Sequence, residues 1–312
     1  KPGRVQIEVL GRSLSDRPIL AFHVQDPATP VERKVLVFAG LHALEWVGTD
    51  VATDLLLYLI DHPVKGVRVT VVPLLNPDGR AKSERDLMAG ENTYRRGNRD
   101  NVDLNRDFAW NRDPPSIWKG IIPRYYAVSP APLSQPETRA LDTLAAREGY
   151  HRAVSLHAFG GFFYYPWSGR WRRPPHRREF VALGRSMERA MGDRAYKTRQ
   201  LSRWAFFFRA AGSEIDHLYG EYGTKAILVE LTRSGLNPWK KKGLGTYFRW
   251  YNPKNAERHR KRGVRAVLGL LRHPELPSER AWREAGRDRP IPPDTPLRSE
   301  VVPPLDAPPP DH

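Results

Sequence analysis

Short apolar runs alternate along this chain with amphipathic segments of helical period. Val35–Ala39, Val67–Leu75, Ala153–Leu156 and Ala226–Leu231 are β-branched or aliphatic runs of strand length, each near a turn signal, the pattern of strands buried on both faces. Between them, Trp46–Ile60, Glu137–Arg147, Glu179–Met191 and Asn255–Leu271 repeat apolar residues at helical spacing. A further alternation, Val5, Ile7 and Val9, marks a strand near the start of the chain. The β-then-α order predicts an α/β fold: a mixed, mostly parallel twisted sheet flanked by helices on both faces. In such a sheet, ligands bind beyond the carboxyl ends of the strands.

Composition sets limits on the chemistry. The 312 residues contain no cysteine, which excludes disulfides, thiolate metal sites and a cysteine nucleophile, so any metal must take His, Asp or Glu. The longest apolar run, around Leu55 to Ile60, is far short of the roughly 20 residues of a membrane-spanning helix. No signal peptide is visible ahead of the first strand, and the chain begins at Lys1. Residues 274–312 hold 11 of the 29 prolines and read as an extended tail without helix, leaving residues 1–273 as the folded domain. The net charge is +16, and it is localised: residues 165–209 carry 12 basic and 3 acidic side chains, and residues 239–265 carry 10 and 1. These two stretches are solvated basic faces or contacts for an acidic polymer or surface.

Three strand ends carry polar groups that a core would not hold without reason. Val35–Leu41 runs into His42 with Glu45 three residues on, Ala153–Leu156 runs into His157, and Ile227–Val229 runs into Glu230. Two His and one Glu from neighbouring strand ends suit a catalytic zinc with three protein ligands, and a further carboxylate can serve as base. The spacing alone is weak. His176 and Glu179 repeat it, but in an Arg- and Pro-rich stretch that opens a helix, where they read as surface or capping residues.

Six words in one order decide between these readings: Gly40-Leu-His-Ala-Leu-Glu-Trp46, Leu75-Asn-Pro-Asp-Gly79, Tyr94-Arg-Arg96, Val102-Asp-Leu-Asn-Arg-Asp-Phe108, Ser155-Leu-His-Ala-Phe159 with Tyr165-Pro166, and Leu228-Val-Glu-Leu-Thr232. The chain resembles the zinc metallocarboxypeptidases typified by pancreatic carboxypeptidase A, from about Gly11 to about Leu271, without the helix that usually precedes the Gly-Arg-Ser segment. The resemblance implies that His42, Glu45 and His157 bind one Zn2+, a choice over cobalt, nickel or iron that rests on the family and the ligand types. It implies that Asp103 receives the proton of the first ligand histidine. Glu230 matches the general base, and Arg95 the cation that stabilises the tetrahedral oxyanion, with Arg96 one position away as the alternative. Asn105 and Arg106 match the clamp for the substrate's terminal carboxylate.

Departures from the pattern bear on the substrate. Phe208 falls where a mobile tyrosine usually closes over the substrate, and a one-residue shift would place Phe207 or Arg209 there. Leu44 replaces the arginine common between the first two ligands, and Ala158 and Phe159 stand where serine and tyrosine are frequent. Ile215 aligns with the position that tunes the pocket for the terminal side chain; with Ala210 and Leu228 it makes an apolar pocket for hydrophobic or aromatic residues, to which Ser213 and Arg203 can add polarity. The implied activity is release of a C-terminal amino acid from a peptide substrate by a monomer, in a secreted or periplasmic setting. The alternatives are an amidase or peptidase on peptidoglycan stem peptides or acyl amino acids, and a catalytically silent polyanion-binding protein of the same fold.

Overall fold

The computed structural model of the chain describes residues 3–113, 120–121, 127–233, 247–287 and 289–293. Strands Val5–Arg12 (β1), Pro18–Val24 (β2), Arg33–Ala39 (β3), Val67–Val72 (β4), Arg152–Ala158 (β5), Phe162–Tyr165 (β6), Lys197–Gln200 (β7) and Lys225–Leu231 (β8) form one eight-stranded sheet in the order β1-β2-β4-β3-β5-β8-β6-β7. The middle strands β4, β3, β5 and β8 are parallel, and they are the continuous apolar runs of the sequence. β1 and β2 at one edge and β6 at the other run antiparallel to their inner neighbours. β1 is a strand, yet its apolar positions Ile7 and Val9 face outward, 62% and 55% exposed. Its partly buried Val5 and Leu10 pack against the core instead.

The helices are Trp46–Asp61 (α1), Pro77–Met88 (α2), Pro136–Glu148 (α3), Arg177–Met191 (α4), Glu214–Tyr222 (α5), Tyr247–Tyr251 (α6), Ala256–Leu271 (α7) and Pro277–Glu284 (α8). On one face of the sheet α1, α4 and α7 bury Val51, Leu55, Leu183, Met187 and Leu270; on the other, α3 and α5 bury Leu141, Leu144, Ile215 and Leu218. The sheet is therefore covered on both sides, as a parallel sheet requires. α4 and α7 pack against each other, which brings the two basic stretches together. Arg178, Arg185, Arg189, Arg258, Lys261 and Arg265 are exposed there, while residues 239–246 of the second stretch lie outside the described residues.

The proline-rich tail does not begin at Pro274. Pro277 opens α8, at a helix start where a missing N–H costs nothing. Arg152, fully buried at the start of β5, donates from Nε and Nη2 to the two carboxylate oxygens of Glu279 at 2.7 Å each. It also donates to the carbonyls of Leu270, His273 and Pro274, and Leu276 and Trp282 are buried. The folded body thus extends past residue 273; residues 294–312 of the expected tail lie outside the described residues. The same docking buries Glu179, whose carboxylate accepts the backbone N–H and hydroxyl of Ser278. His176 does sit at the N-terminus of α4, but its Nδ1 is 2.8 Å from the Tyr219 hydroxyl rather than free in solvent.

Candidate metal centre

β3 ends at Ala39 and turns sharply at Gly40, which adopts φ +68° and has the Cα of Leu74 3.2 Å from where a Cβ would sit. The turn delivers Leu41 to Glu45 to the rim of the sheet just ahead of α1. Asn76 fixes it from below: its side chain donates to the carbonyls of Leu41 and Gly97 and accepts the N–H of Gly79, capping α2. Asn252, between α6 and α7, fixes it from above, donating to Leu44 O at 2.7 Å and accepting the N–H of Val47 at 3.1 Å. Ala43 N donates to Arg96 O, tying the Tyr94–Gly97 loop to the same turn.

The parallel pairing of β3 with β5 and of β5 with β8 then sets His157 beside this turn and Glu230 opposite His157. His42, Glu45 and His157 are all at least 97% buried, and each offers a ligand atom within 4.8 Å of the others. Nδ1 of His42 and Nδ1 of His157 face each other at 3.1 Å, and the Glu45 oxygens lie 2.8 Å from the first and 2.9 Å from the second. Both distal nitrogens are engaged. His42 Nε2 is 3.0 Å from Asp103, as expected, and His157 Nε2 is 3.0 Å from Glu214.

The electrostatics favour a cation at this point. Burial alone would strip charge from His157, yet Glu45 and Glu214 more than offset it and raise its pKa to about 10. Burial pushes Glu45 and Asp103 up, but the imidazoles hold Glu45, and Arg96 with His42 hold Asp103, below the ordinary carboxylate range. Glu230 goes the other way, pushed up to about 8 by burial and by the neighbouring Glu45, and its Oε2 is buried without a hydrogen-bond partner. Four carboxyl groups (Glu45, Asp103, Glu214, Glu230) face two guanidiniums (Arg96, Arg106) around this point, so acidic side chains outnumber arginines. Two imidazole nitrogens and a carboxylate facing one point, with oriented partners behind them, fit zinc.

Of the two arginines the sequence offered for the centre, the alternative, Arg96, is the one beside the ligands. Arg95 turns away and is held by Asp86, Nε to Oδ2 at 2.6 Å and Nη2 to Oδ1 at 3.2 Å. Arg96 faces the centre, donating from Nε to Asp103 at 2.7 Å and from Nη1 to Glu45 at 3.5 Å. The two adjacent arginines of this extended loop take different partners, Arg95 the carboxylate of Asp86 and Arg96 those of Asp103 and Glu45. Asn105 and Arg106 lie in a short 3-10 turn, Leu104–Arg106, whose start is capped by Asp103; Arg106 donates to Asn105 O, and Asn105 Oδ1 accepts the N–H of Glu214. Arg95, Arg96, Asp103, Arg106, Tyr94 and Phe208 line one cleft of about 1100 Å³. Phe208 packs edge-on against Trp204, while Ile215 is fully buried in an apolar cluster with Ala210 and Leu228.

Arg96 was legible only as the alternative to Arg95, and three contributors had no signal in the sequence: Glu214, Asn252 and an aromatic rim. In that rim Tyr251 of α6 packs on Phe159 and its hydroxyl is 3.3 Å from that of Tyr94.

Comparison with known proteins agrees with this geometry. The family model described as zinc carboxypeptidase matches residues 1–243. Carboxypeptidase D of Drosophila melanogaster is 29% identical over 182 residues, covering 53% of this chain and 12% of that protein. Among the curated relatives it matches, the chain spans about half of the length or less. The structure of bovine thrombin-activatable fibrinolysis inhibitor, in complex with a tick carboxypeptidase inhibitor, superposes with a TM-score of 0.68 at 21% identity, over 87% of this chain and 90% of that one. Murein-tripeptide amidase MpaA of Escherichia coli O157 shares the fold with a TM-score of 0.53 at 20% identity, over 86% of this chain and 93% of that one.

Proposed function

The chain belongs to the zinc carboxypeptidase family, and we propose on that premise that it is a zinc-dependent carboxypeptidase, hydrolysing the C-terminal peptide bond of peptides with an apolar or aromatic terminal residue. The observation that supports it is the convergence, at one end of β3, β5 and β8, of the His42, Glu45 and His157 group with Glu230, Arg96 and Arg106. A divalent ion held by the first three residues supplies Lewis-acid polarisation of the scissile carbonyl and lowers the pKa of water.

The chain's own residues do the rest. Arg106, with Asn105 beside it, binds the terminal carboxylate and makes the enzyme an exopeptidase. Glu230 accepts the proton of the attacking water and delivers it to the departing amine; its poorly solvated, unpartnered carboxylate is suited to holding a proton between the two steps. Arg96, oriented by Asp103, presents its charge to the oxyanion. Phe208 with Val102, Val128 and Pro130 gives the cleft apolar walls for the terminal side chain, while Ile215, Ala210 and Leu228 are buried in the apolar core. The exposed arginines and lysine of α4 and α7 draw acidic substrates or surfaces towards the molecule, a contribution that falls steeply with added salt.

The test is turnover of a panel of N-blocked dipeptides with free or amidated C-termini, with and without a zinc chelator, by the wild-type protein and Glu230→Gln. Chelator-sensitive cleavage confined to free C-termini is expected. Equal rates on free and amidated substrates would move the function to an amidase of the peptidoglycan type, and turnover of no amide would leave a silent binding protein.

A further inference from the structure

We propose that Glu214 is a positioning residue for the metal centre: it fixes His157 as an Nδ1 ligand by accepting the proton on Nε2, and so sets the affinity of the site for its cation. This rests on the zinc-peptidase function proposed above. Glu214 opens α5, is 0% exposed, and is anchored through its backbone N–H to Asn105 Oδ1 at 3.2 Å. Its Oε1 lies 3.0 Å from His157 Nε2, and Ser155 Oγ lies 2.9 Å from the same nitrogen. The opposite nitrogen, Nδ1, faces Glu45 and His42. An imidazole can present a lone pair at Nδ1 only while its proton sits on Nε2, and a carboxylate at Nε2 enforces that tautomer and makes the ring a stronger donor.

His42 provides an internal comparison. It also carries a carboxylate on its distal nitrogen, but Asp103 shares its charge with Arg96 at 2.7 Å. Glu214 has no hydrogen-bonded cation among the described residues, and its Oε2 is buried without a partner. A carboxylate buried in that state is costly unless charge on the far side of the imidazole offsets it. Arg106 faces both carboxylates electrostatically, but Arg96 is hydrogen-bonded to Asp103 alone, so Glu214 acts through His157 on whatever occupies the centre more strongly than Asp103 acts through His42. Glu214 touches neither substrate nor reacting atoms; its action is through the ring it holds.

The measurement is zinc affinity of the whole protein by competition with a chromogenic chelator, alongside the thermal midpoint of the metal-free protein, for wild type, Glu214→Gln and Asp103→Asn. Glu214→Gln keeps an acceptor of the same shape and loses the charge; zinc affinity is expected to fall roughly 10- to 100-fold, and by more than in Asp103→Asn, with the metal-free midpoint unchanged or raised. Unchanged affinity, or a midpoint that falls in step with affinity as for a purely structural residue, would overturn the proposal. If the variant does not fold, histidine-selective 15N NMR of zinc-loaded wild type decides: a protonated Nε2 and metal-bound Nδ1 on His157 are expected, and the reverse assignment overturns it. A wild-type protein that binds no zinc would overturn the metal function itself, a result distinct from wild-type binding that Glu214→Gln leaves intact.

Discussion

At the amino ends of β5 and β8, Arg152 and Lys225 are both fully buried, and each meets its counter-charge within the chain. Arg152 is bidentate on Glu279, and Lys225 lies 3.8 Å from Glu179 with Trp282 under its ammonium, burial lowering its pKa to about 8. At the carboxyl ends of the same two strands, His157 and Glu230 are set among Glu45, Asp103 and Glu214, and the acidic groups outnumber Arg96 and Arg106. One end of the sheet closes its charges and serves to dock α8. The other leaves negative charge in excess around a convergent donor set, which is how a fold holds a place for a divalent ion.

Substitutions at the two ends should therefore fail in different ways. Glu230→Gln is expected to lower kcat roughly 100- to 10,000-fold with zinc affinity and unfolding midpoint retained, since it removes the proton acceptor and keeps the shape of the side chain. A matching loss of stability would break the contrast. Arg152→Ala should instead cost about 3–5 kcal/mol in urea unfolding, because it strands the buried Glu279, while kcat per folded molecule stays at the wild-type level. Arg96→Ala should reduce kcat roughly 100- to 1,000-fold. Arg95→Ala, which frees a partly exposed pair with Asp86, should cost about 1 kcal/mol of stability or less and leave kcat unchanged. Equal kinetic losses in the two arginine variants would overturn the assignment of Arg96.

Acid gives the mildest test. Burial raises the Glu279 carboxyl, but hydrogen bonds and charge from Arg152 more than offset it and hold its pKa below the ordinary 4.5. In the window below 4.5 the unfolded chain binds a proton at this residue that the folded chain does not. The stability it contributes is complete above that value and is lost as pH falls through the lower folded value. Unfolding free energies of wild type and Glu279→Gln should converge as pH drops below 4.5; a constant difference down to the acid limit would exclude the pair as the cause.

Much of the architecture is legible in the sequence because burial imposes period. The strands and helices expected at Val35–Ala39, Trp46–Ile60, Glu137–Arg147 and Glu179–Met191 lie within a residue or two of β3, α1, α3 and α4, since each carries one continuous apolar run or face. α2 left no such trace: it is polar, with Pro77, Asp78, Gly79 and Ser83 its buried positions, and its helix is set by the Asn76 cap rather than by an apolar stripe. α8 was hidden by prolines, because its stability comes from Glu279 reaching Arg152, which is 127 residues away.

The sequence by itself determined the donor types and their order: without cysteine the ligands had to be His and carboxylate, and the words around His42, Glu45, Asp103, His157 and Glu230 placed each at a strand end or turn. Which of two adjacent arginines faces the centre, which carboxylate stands behind His157, and that α8 belongs to the folded body were decided only by tertiary structure. Each of these depends on the direction of a side chain in a loop, or on a partner distant in sequence. Local periodicity carries no record of either.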